Sequence, residues 1–162
     1  GHSAAVTLES KLLLMQGLNS DSGNMYKPPS LILNSSNKLF QSKLDTDVLF
    51  PILAECRVIK SAAELAVLQH VTEVTSFAHA YVMRNIKPNN MEYQGESLFR
   101  HYCYYNYGCR LVGYTPICGC GPNAAILHYG HAGEPNGRQL LDGDVCLFDM
   151  GAEYQGTMIP AE

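Results

Sequence analysis

Hydrophobic residues recur every three or four positions between residues 61 and 87, which is the spacing of one face of an α-helix. The positions on this face are Leu65, Leu68, Val71, Val74, Ala78 and Val82. Ser61 and Glu64 form the S-x-x-E pattern of a capping box, in which both side chains bond free N–H groups at a helix start. Lys87-Pro88 ends the pattern because proline disfavours helical backbone at the residue before it. The sequence therefore predicts a helix of about two dozen residues.

A second helix and a set of strands are predicted after it. Asn90 is a residue that often caps helices, and Tyr107-Gly108 is typical of a helix end. Three apolar segments separated by turn residues then predict strands. These segments are Leu111–Cys118, Ala124–Tyr129 and Val145–Gln155. Two helices followed by a mostly antiparallel sheet indicate an α+β domain, with the helices packed on one face of the sheet.

Residues 1 to 50 have a different character. Short apolar runs such as Leu12–Met15 and Leu31–Leu33 alternate with polar segments of loop-forming residues. Pieces of this length do not form a sufficient core of their own. We expect residues 1–50 to be the tail of a preceding domain with its linker, and residues 51–162 to belong to the α+β domain.

Composition and charge exclude several classes of partner. The 162 residues are 46% hydrophobic and 16% charged, as in ordinary globular proteins. The formal net charge is -4, and the 11 Lys and Arg residues are scattered rather than gathered on the basic face that nucleic-acid binding needs. No apolar run approaches the roughly 20 residues that cross a bilayer. We therefore expect neither a nucleic acid nor a membrane as partner.

The six cysteines allow three interpretations: a disulfide framework, a zinc site or free thiols. They are Cys56, Cys103, Cys109, Cys118, Cys120 and Cys146. Disulfides are disfavoured because the chain is not small and its start does not resemble a signal peptide. A zinc site is disfavoured because the paired C-x-x-C spacing is absent. We expect reduced, mostly buried thiols and a cytoplasmic protein.

Three residues could carry chemistry. Asp149 follows an apolar run, where a carboxylate is costly to bury unless it is paired or bound to a metal; alternatively it starts the turn into Gly151. His128 and His131 form H-x-x-H, which on a strand points the two side chains to opposite faces, so that one of them faces a site. A core histidine bonded to a backbone carbonyl is the alternative. Tyr114 would ordinarily be a packing residue with its hydroxyl at the rim.

Together, in this order and spacing, these residues resemble one family. The segments that carry the resemblance are Tyr114–Gly121, Ile126–Gly133 and Gly143–Gly151, with Asn19–Gly23 and Glu55–Val58 before them. They are similar to prolidases, the Xaa-Pro dipeptidases of peptidase family M24, more than to aminopeptidase P or methionine aminopeptidase. The resemblance covers about residue 17 to Tyr154. It implies a partial pita-bread fold, the first half of a catalytic domain.

The resemblance also implies roles for the three candidates. Asp149 matches the first aspartate of a two-metal site, which usually holds manganese. His128 matches a histidine that contacts the dipeptide and helps to stabilise its carbonyl during attack, and Tyr114 matches a tyrosine beside the metals. The implied reaction is metal-assisted hydrolysis of dipeptides with a C-terminal proline. The family further implies a homodimer.

The resemblance ends in the last six residues. Pro160 stands where the family has its second metal-binding aspartate, and residues 157–162 diverge from the family pattern. One carboxylate cannot hold two divalent cations, each of which needs several ligands. We therefore expect the chain as given to bind its manganese pair incompletely and not to hydrolyse such dipeptides. Half of a two-half domain should also expose apolar surface that favours association.

Two other functions stay open at this point. The chain could be a non-catalytic interaction module that uses the half fold to bind a partner or another copy of itself, which predicts one defined oligomer. It could also be a small metal-binding protein that uses His128, His131 and the cysteines, which predicts stoichiometric zinc uptake.

Overall fold

The chain divides into two compact units, Gly1–Lys60 and Ser61–Glu162. The computed structural model describes residues 10–20, 22–34, 36, 38–130 and 136–158. The first unit consists of short elements, which are β1 (Leu12–Leu13), β2 (Gly17–Leu18), β3 (Met25–Tyr26), α1 (Ser30–Leu33), α2 (Lys38–Gln41), β4 (Leu44–Asp45) and α3 (Leu49–Val58). β1 pairs with β4 in parallel, and β2 pairs with β3 antiparallel.

The leucine, isoleucine and methionine side chains that the structure describes in this first unit are half-buried or exposed. This agrees with the expectation of short pieces without a sufficient core. The assignment of residues 1–50 to a preceding domain stays a prediction.

The second unit contains the two long helices and the remaining strands. Its elements are α4 (Ala62–Asn85), α5 (Glu92–Tyr107), β5 (Leu111–Val112), β6 (Ile117–Cys120), a 3₁₀ helix (Gly121–Ala125), β7 (Cys146–Asp149), β8 (Ala152–Tyr154) and β9 (Thr157–Met158). β6 and β7 form one antiparallel pair, and β5, β8 and β9 form a three-stranded antiparallel sheet in the order β5-β8-β9. The expected α+β class is confirmed.

Helix α4 begins and packs as its sequence predicts. The Glu64 N–H donates to the Ser61 hydroxyl at 3.2 Å, and the Ser61 N–H donates to the Glu64 carboxylate at 2.7 Å, which completes the capping box. Four positions of the predicted apolar face are buried, namely Val71, Val74, Ala78 and Val82. Leu65 is exposed and Leu68 half-buried, so the first turn of the helix stands outside the core.

Helix α5 starts two residues after the predicted cap. Asn90 is not the N-cap, because its side-chain oxygen instead accepts the Lys87 N–H at 2.8 Å in the turn before the helix. Met91 is the N-cap, and its N–H donates to the Gln94 side chain at 2.7 Å. The end is as predicted, since Gly108 adopts a left-handed conformation (φ 70°) that suits glycine.

The strand predictions need one correction and two refinements. The segment Ala124–Tyr129 is not a strand: it continues the 3₁₀ helix, which has Pro122 in its first turn, and then forms a turn. Proline's fixed φ and missing N–H suit a helix start better than a strand. The first predicted strand splits into β5 and β6, and the third into β7 and β8.

The core of the second unit lies between the two helices and the strands. Its buried residues are Val71, Val74, Ala78, Val82, Phe99, Cys103, Cys109, Cys118, Met150 and Ala152. Two polar contacts fix α4 to the connection between β7 and β8. The Ala152 N–H donates to the Thr75 hydroxyl at 3.1 Å, and the His79 ring lies 2.8 Å from the Met150 carbonyl oxygen.

Candidate active site

Asp149 is the last residue of β7, and the alternation of that strand places it on the side away from the helices. Phe148 lies close to α5, since a Cβ added at Gly95 would come within 3.3 Å of its ring. Met150 is 2% exposed. Leu147 and Asp149, which alternate with these two residues, are exposed. The strand thus buries an apolar face and presents the carboxylate on its open face.

The backbone immediately after Asp149 is held by the core. Besides the His79 contact to its carbonyl oxygen, the Met150 sulfur lies 3.6 Å from the thiol of Cys118 on the neighbouring strand. The register of the two strands sets Ile117 directly opposite Asp149. Position and direction of the Asp149 side chain therefore follow from how the strand packs.

Tyr114 and Asp149 form a direct hydrogen bond. The Tyr114 hydroxyl donates to Asp149 Oδ1 at 2.5 Å. The tyrosine ring lies against Gly151, where an added Cβ would come within 2.9 Å of it, and the Gly113 N–H donates to the Gly151 carbonyl at 2.8 Å. A larger residue at position 151 would therefore displace the ring. The structure brings together two of the three residues singled out in the sequence.

Burial raises the pKa of the Tyr114 hydroxyl, and the hydrogen bond to Asp149 together with the carboxylate's negative charge raises it further. The hydroxyl therefore keeps its proton at neutral pH and acts as a donor. Tyr114 is more than a packing residue with its hydroxyl at a rim, because its hydroxyl is committed to one oxygen of the candidate metal ligand.

His128 lies in the turn that follows the 3₁₀ helix, and its side chain is exposed. Because this segment is not a strand, the inference that His128 and His131 point to opposite faces loses its basis. His131 lies outside the described residues. The exposed His128 does not fit the alternative of a core histidine.

A buried carboxylate, Glu92, is the feature that the sequence reasoning missed. Glu92 is 0% exposed, although it carries a charge. Its Oε1 accepts the Cys120 N–H at 2.8 Å and the Asn123 side-chain amide at 3.1 Å. Its Oε2 accepts the Tyr129 hydroxyl at 2.5 Å and the Arg138 N–H at 2.9 Å. We call these five residues the Glu92 cluster.

The Glu92 cluster holds its carboxylate in the charged form. Burial raises the pKa of Glu92, but the hydrogen bonds from Tyr129 and from the N–H groups of Arg138 and Cys120 more than offset this, so that the pKa lies below its usual value. From the sequence, an acidic residue in the first turn of a helix looks like an ordinary partner of the helix dipole.

Two further polar groups secure the same region. The Asn136 side chain accepts the Cys118 N–H at 3.0 Å and donates to the Pro116 carbonyl at 3.0 Å and to the Glu96 carboxylate at 2.8 Å. Arg138 pairs with Asp144, and the hydrogen bond from its guanidinium lowers the pKa of that carboxyl group. Asn136 is thereby fixed against β6 and α5.

The described residues fit one ligand of a metal site but not a complete site. Asp149 offers an exposed carboxylate, the oxygen ligand that hard divalent cations prefer. Within the described part of the chain, no group of three or more His, Cys, Asp or Glu side chains could hold a metal ion. Pro160, which the resemblance places at the family's second aspartate, lies outside the described residues.

All six cysteines are free, and four of them are buried; Cys56 and Cys146 are exposed. Among the helices that the structure describes, none has both the length and the apolar character to span a membrane.

The charge on Glu92 should make stability depend on pH. With a folded-state pKa below the ordinary 4.5, its contribution is present above pH 4.5 and is lost as the pH falls through the folded-state value. We expect Glu92→Gln to lower the free energy of unfolding at pH 7 by about 1.5–3 kcal/mol, the cost of losing hydrogen bonds to a charged acceptor.

Denaturant unfolding of both proteins from about pH 7 down to about pH 3.5 measures this difference, which should shrink toward the acid end. Glu73→Gln, on the exposed face of α4, is the matched control and should change stability by no more than about 0.5 kcal/mol. A difference between wild type and Glu92→Gln that stays constant across the range would contradict the role given to the carboxylate.

Comparison with known proteins identifies the family of the chain. The family model described as metallopeptidase family M24 matches residues 66–160. Xaa-Pro dipeptidase of Rattus norvegicus is 47% identical over 145 residues, which are 90% of this chain and 28% of that protein. Xaa-Pro dipeptidase of Homo sapiens is 46% identical with the same coverage. The chain thus spans 28% of the length of these curated relatives.

Solved structures of related enzymes share the fold. Aminopeptidase P from Escherichia coli with the inhibitor Pro-Leu matches with a TM-score of 0.62 and 37% identity, over 67% of this chain and 24% of that one. Proline aminopeptidase P II from Yersinia pestis matches with a TM-score of 0.61 and 40% identity, over 67% and 24%. The expected partial pita-bread fold is confirmed, as is the resemblance to Xaa-Pro dipeptidases. By its helices, its strands and the residues matched between 66 and 160, the chain belongs to metallopeptidase family M24.

Proposed function

We propose that this chain supplies the first part of the active site of a metal-dependent dipeptidase that hydrolyses dipeptides with a C-terminal proline. The observation that carries the proposal is the Tyr114–Asp149 pair on the open face of β7, 2.5 Å apart. Support comes from the relatives named Xaa-Pro dipeptidase, which are 46–47% identical over 90% of the chain.

Asp149 is the residue that would hold the metal, for which we propose manganese. Oδ1 accepts the Tyr114 hydroxyl, and among the described residues Oδ2 has no hydrogen-bond partner, so one oxygen remains for a cation. A bound divalent cation would supply Lewis-acid chemistry at the scissile carbonyl. The Tyr114 hydroxyl orients the carboxylate, since the ring is itself held against Gly151.

His128 is the residue that would contact the substrate. Its imidazole is exposed and lies on a turn between two segments fixed by Glu92. A histidine N–H can donate to a developing oxyanion, which stabilises an acyl-transfer transition state. This role, like those of Asp149 and Tyr114, stays a proposal.

We further propose a homo-oligomer in the cytoplasm. Six free cysteines favour a reducing compartment. Exposed apolar side chains on the open face of β7 favour self-association. Leu147, on the same side of the strand as Asp149, is 41% exposed, and Val145, directly before the strand, is 74% exposed.

A chimera tests the hydrolytic function. Residues 66–154 of this chain replace the matching segment of human Xaa-Pro dipeptidase, and hydrolysis of Gly-Pro is measured with and without manganese. We expect manganese-dependent turnover that falls at least about a hundredfold in Asp149→Asn, because a metal ligand is lost. Glu73→Gln, which lies on the exposed face of α4, should leave the rate unchanged.

The chain by itself is the second arm of this experiment. We expect no turnover from it with manganese, because its described residues contain no complete metal site. An inactive chimera that folds would overturn the proposed function. Turnover by the chain alone would show that the remaining metal ligands come from residues outside the described part of the chain or from another copy of it. The prediction of an inert chain would then be wrong.

A non-catalytic interaction module is the second candidate, and the exposed Val145 and Leu147 favour it. Size-exclusion chromatography with light scattering would separate the two. A module should give a single defined oligomer that Val145→Ser or Leu147→Ser shifts toward monomer, because each change removes apolar contact area. A broad distribution of sizes, insensitive to both changes, would contradict it. Leu31→Ser, at another exposed leucine, is the control.

A further inference from the structure

We propose that Glu92 is a positioning residue for His128, acting through Tyr129 and Asn123. The proposal deepens the proposed function and rests on it, because it takes His128 as the side chain that meets the substrate. Glu92 itself is fully buried and does not face substrate.

One oxygen of Glu92 fixes the segment that leads into the His128 turn. Oε1 accepts the N–H of Cys120, where β6 ends, at 2.8 Å and the side-chain amide of Asn123, inside the 3₁₀ helix, at 3.1 Å. The Asn123 carbonyl in turn accepts the Ile126 N–H at 3.1 Å. The chain segment that precedes His128 is therefore bound to α5 through one carboxylate oxygen of Glu92.

The other oxygen fixes the residue directly after His128. Oε2 accepts the Tyr129 hydroxyl at 2.5 Å, and the Tyr129 side chain is 5% exposed. The same oxygen accepts the Arg138 N–H at 2.9 Å, and the Gly137 N–H donates to the Tyr129 hydroxyl at 3.4 Å. The Tyr129 hydroxyl is thus held both as a donor to Glu92 and as an acceptor from Gly137.

His128 consequently lies between two residues, Asn123 and Tyr129, that bond the two oxygens of one buried group. Within the turn, the Tyr129 N–H donates to the Ile126 carbonyl at 3.3 Å. Exposed turns are mobile unless tied down, whereas a group that stabilises a transition state must be held to within about 0.5 Å. Glu92 restricts the motion of the His128 turn, because its hydrogen bonds to Asn123 and Tyr129 involve a charged acceptor and are stronger than neutral hydrogen bonds.

Backbone relaxation of the ¹⁵N-labelled chain tests the proposal without substrate. The order parameter of the His128 amide is measured in wild type, Tyr129→Phe and Glu92→Gln. We expect it to fall from about 0.85 toward about 0.6 in both variants, because the turn loses its tie to α5. Tyr129→Phe keeps the ring and its packing, so it carries the test if Glu92→Gln does not fold.

His79 is the internal reference for this measurement. It contacts the Met150 carbonyl and has no part in the Glu92 cluster. Tyr81→Phe is the matched tyrosine control, since Tyr81 stacks on Tyr102 away from the cluster. A loss of order at His128 with His79 unchanged supports the proposal. Unchanged order at His128, or an equal loss at His79, overturns it and indicates that Glu92 only stabilises the fold.

The active chimera supplies the second readout. Tyr129→Phe should lower kcat about tenfold with a smaller change in KM, because a loosened His128 loses transition-state contacts more than ground-state ones. An unchanged kcat overturns the positioning role and leaves the hydrolytic function standing. A folded but inactive wild-type chimera overturns the proposed function, and the role of Glu92 with it.

Discussion

A single buried carboxylate connects four separate segments of the second unit to the start of α5. Glu92 begins α5, and its two oxygens accept hydrogen bonds from the end of β6, the 3₁₀ helix, Tyr129 and Arg138. A buried charge is costly unless donors surround it, so these segments must meet there for the fold to be stable. The loop-rich half of the site therefore depends on one residue, although Glu92 has no direct part in the proposed chemistry.

The other half of the site depends on ordinary strand packing. Met150, directly after β7, is buried against α4 and β6, and this leaves Asp149 on the open face of the strand beside Tyr114. Different interactions therefore position the two regions. Apolar alternation along β7 places Asp149, and hydrogen bonds to the charged Glu92 hold the turn that contains His128.

Features that depend on residues close together in the sequence can be predicted from it, whereas those that depend on distant residues cannot. Helix α4 is predictable because its capping box and apolar face are local patterns. The segment 124–129 is misjudged because Ile126 and Leu127 are apolar like strand residues, although Pro122 just before it favours a helix start. The contacts that hold the two ends of the segment come from Glu92. The contacts of Glu92 join residues 28 to 46 positions apart, which no local pattern reveals. Asp149 could be singled out because a carboxylate after an apolar run is unusual, whereas its bond to Tyr114 required the fold.

The proposed function depends most on Asp149 as a metal ligand that the Tyr114 hydroxyl orients. Paramagnetic broadening by manganese in the NMR spectrum of the isolated chain tests it directly, because the effect detects even weak, incomplete sites. The broadening should centre on residues 149–151 and on Tyr114, and it should disappear from them in Asp149→Asn. Uniform weak broadening, or broadening that survives Asp149→Asn at these positions, would contradict the claim and remove the basis for a metallopeptidase site in this chain.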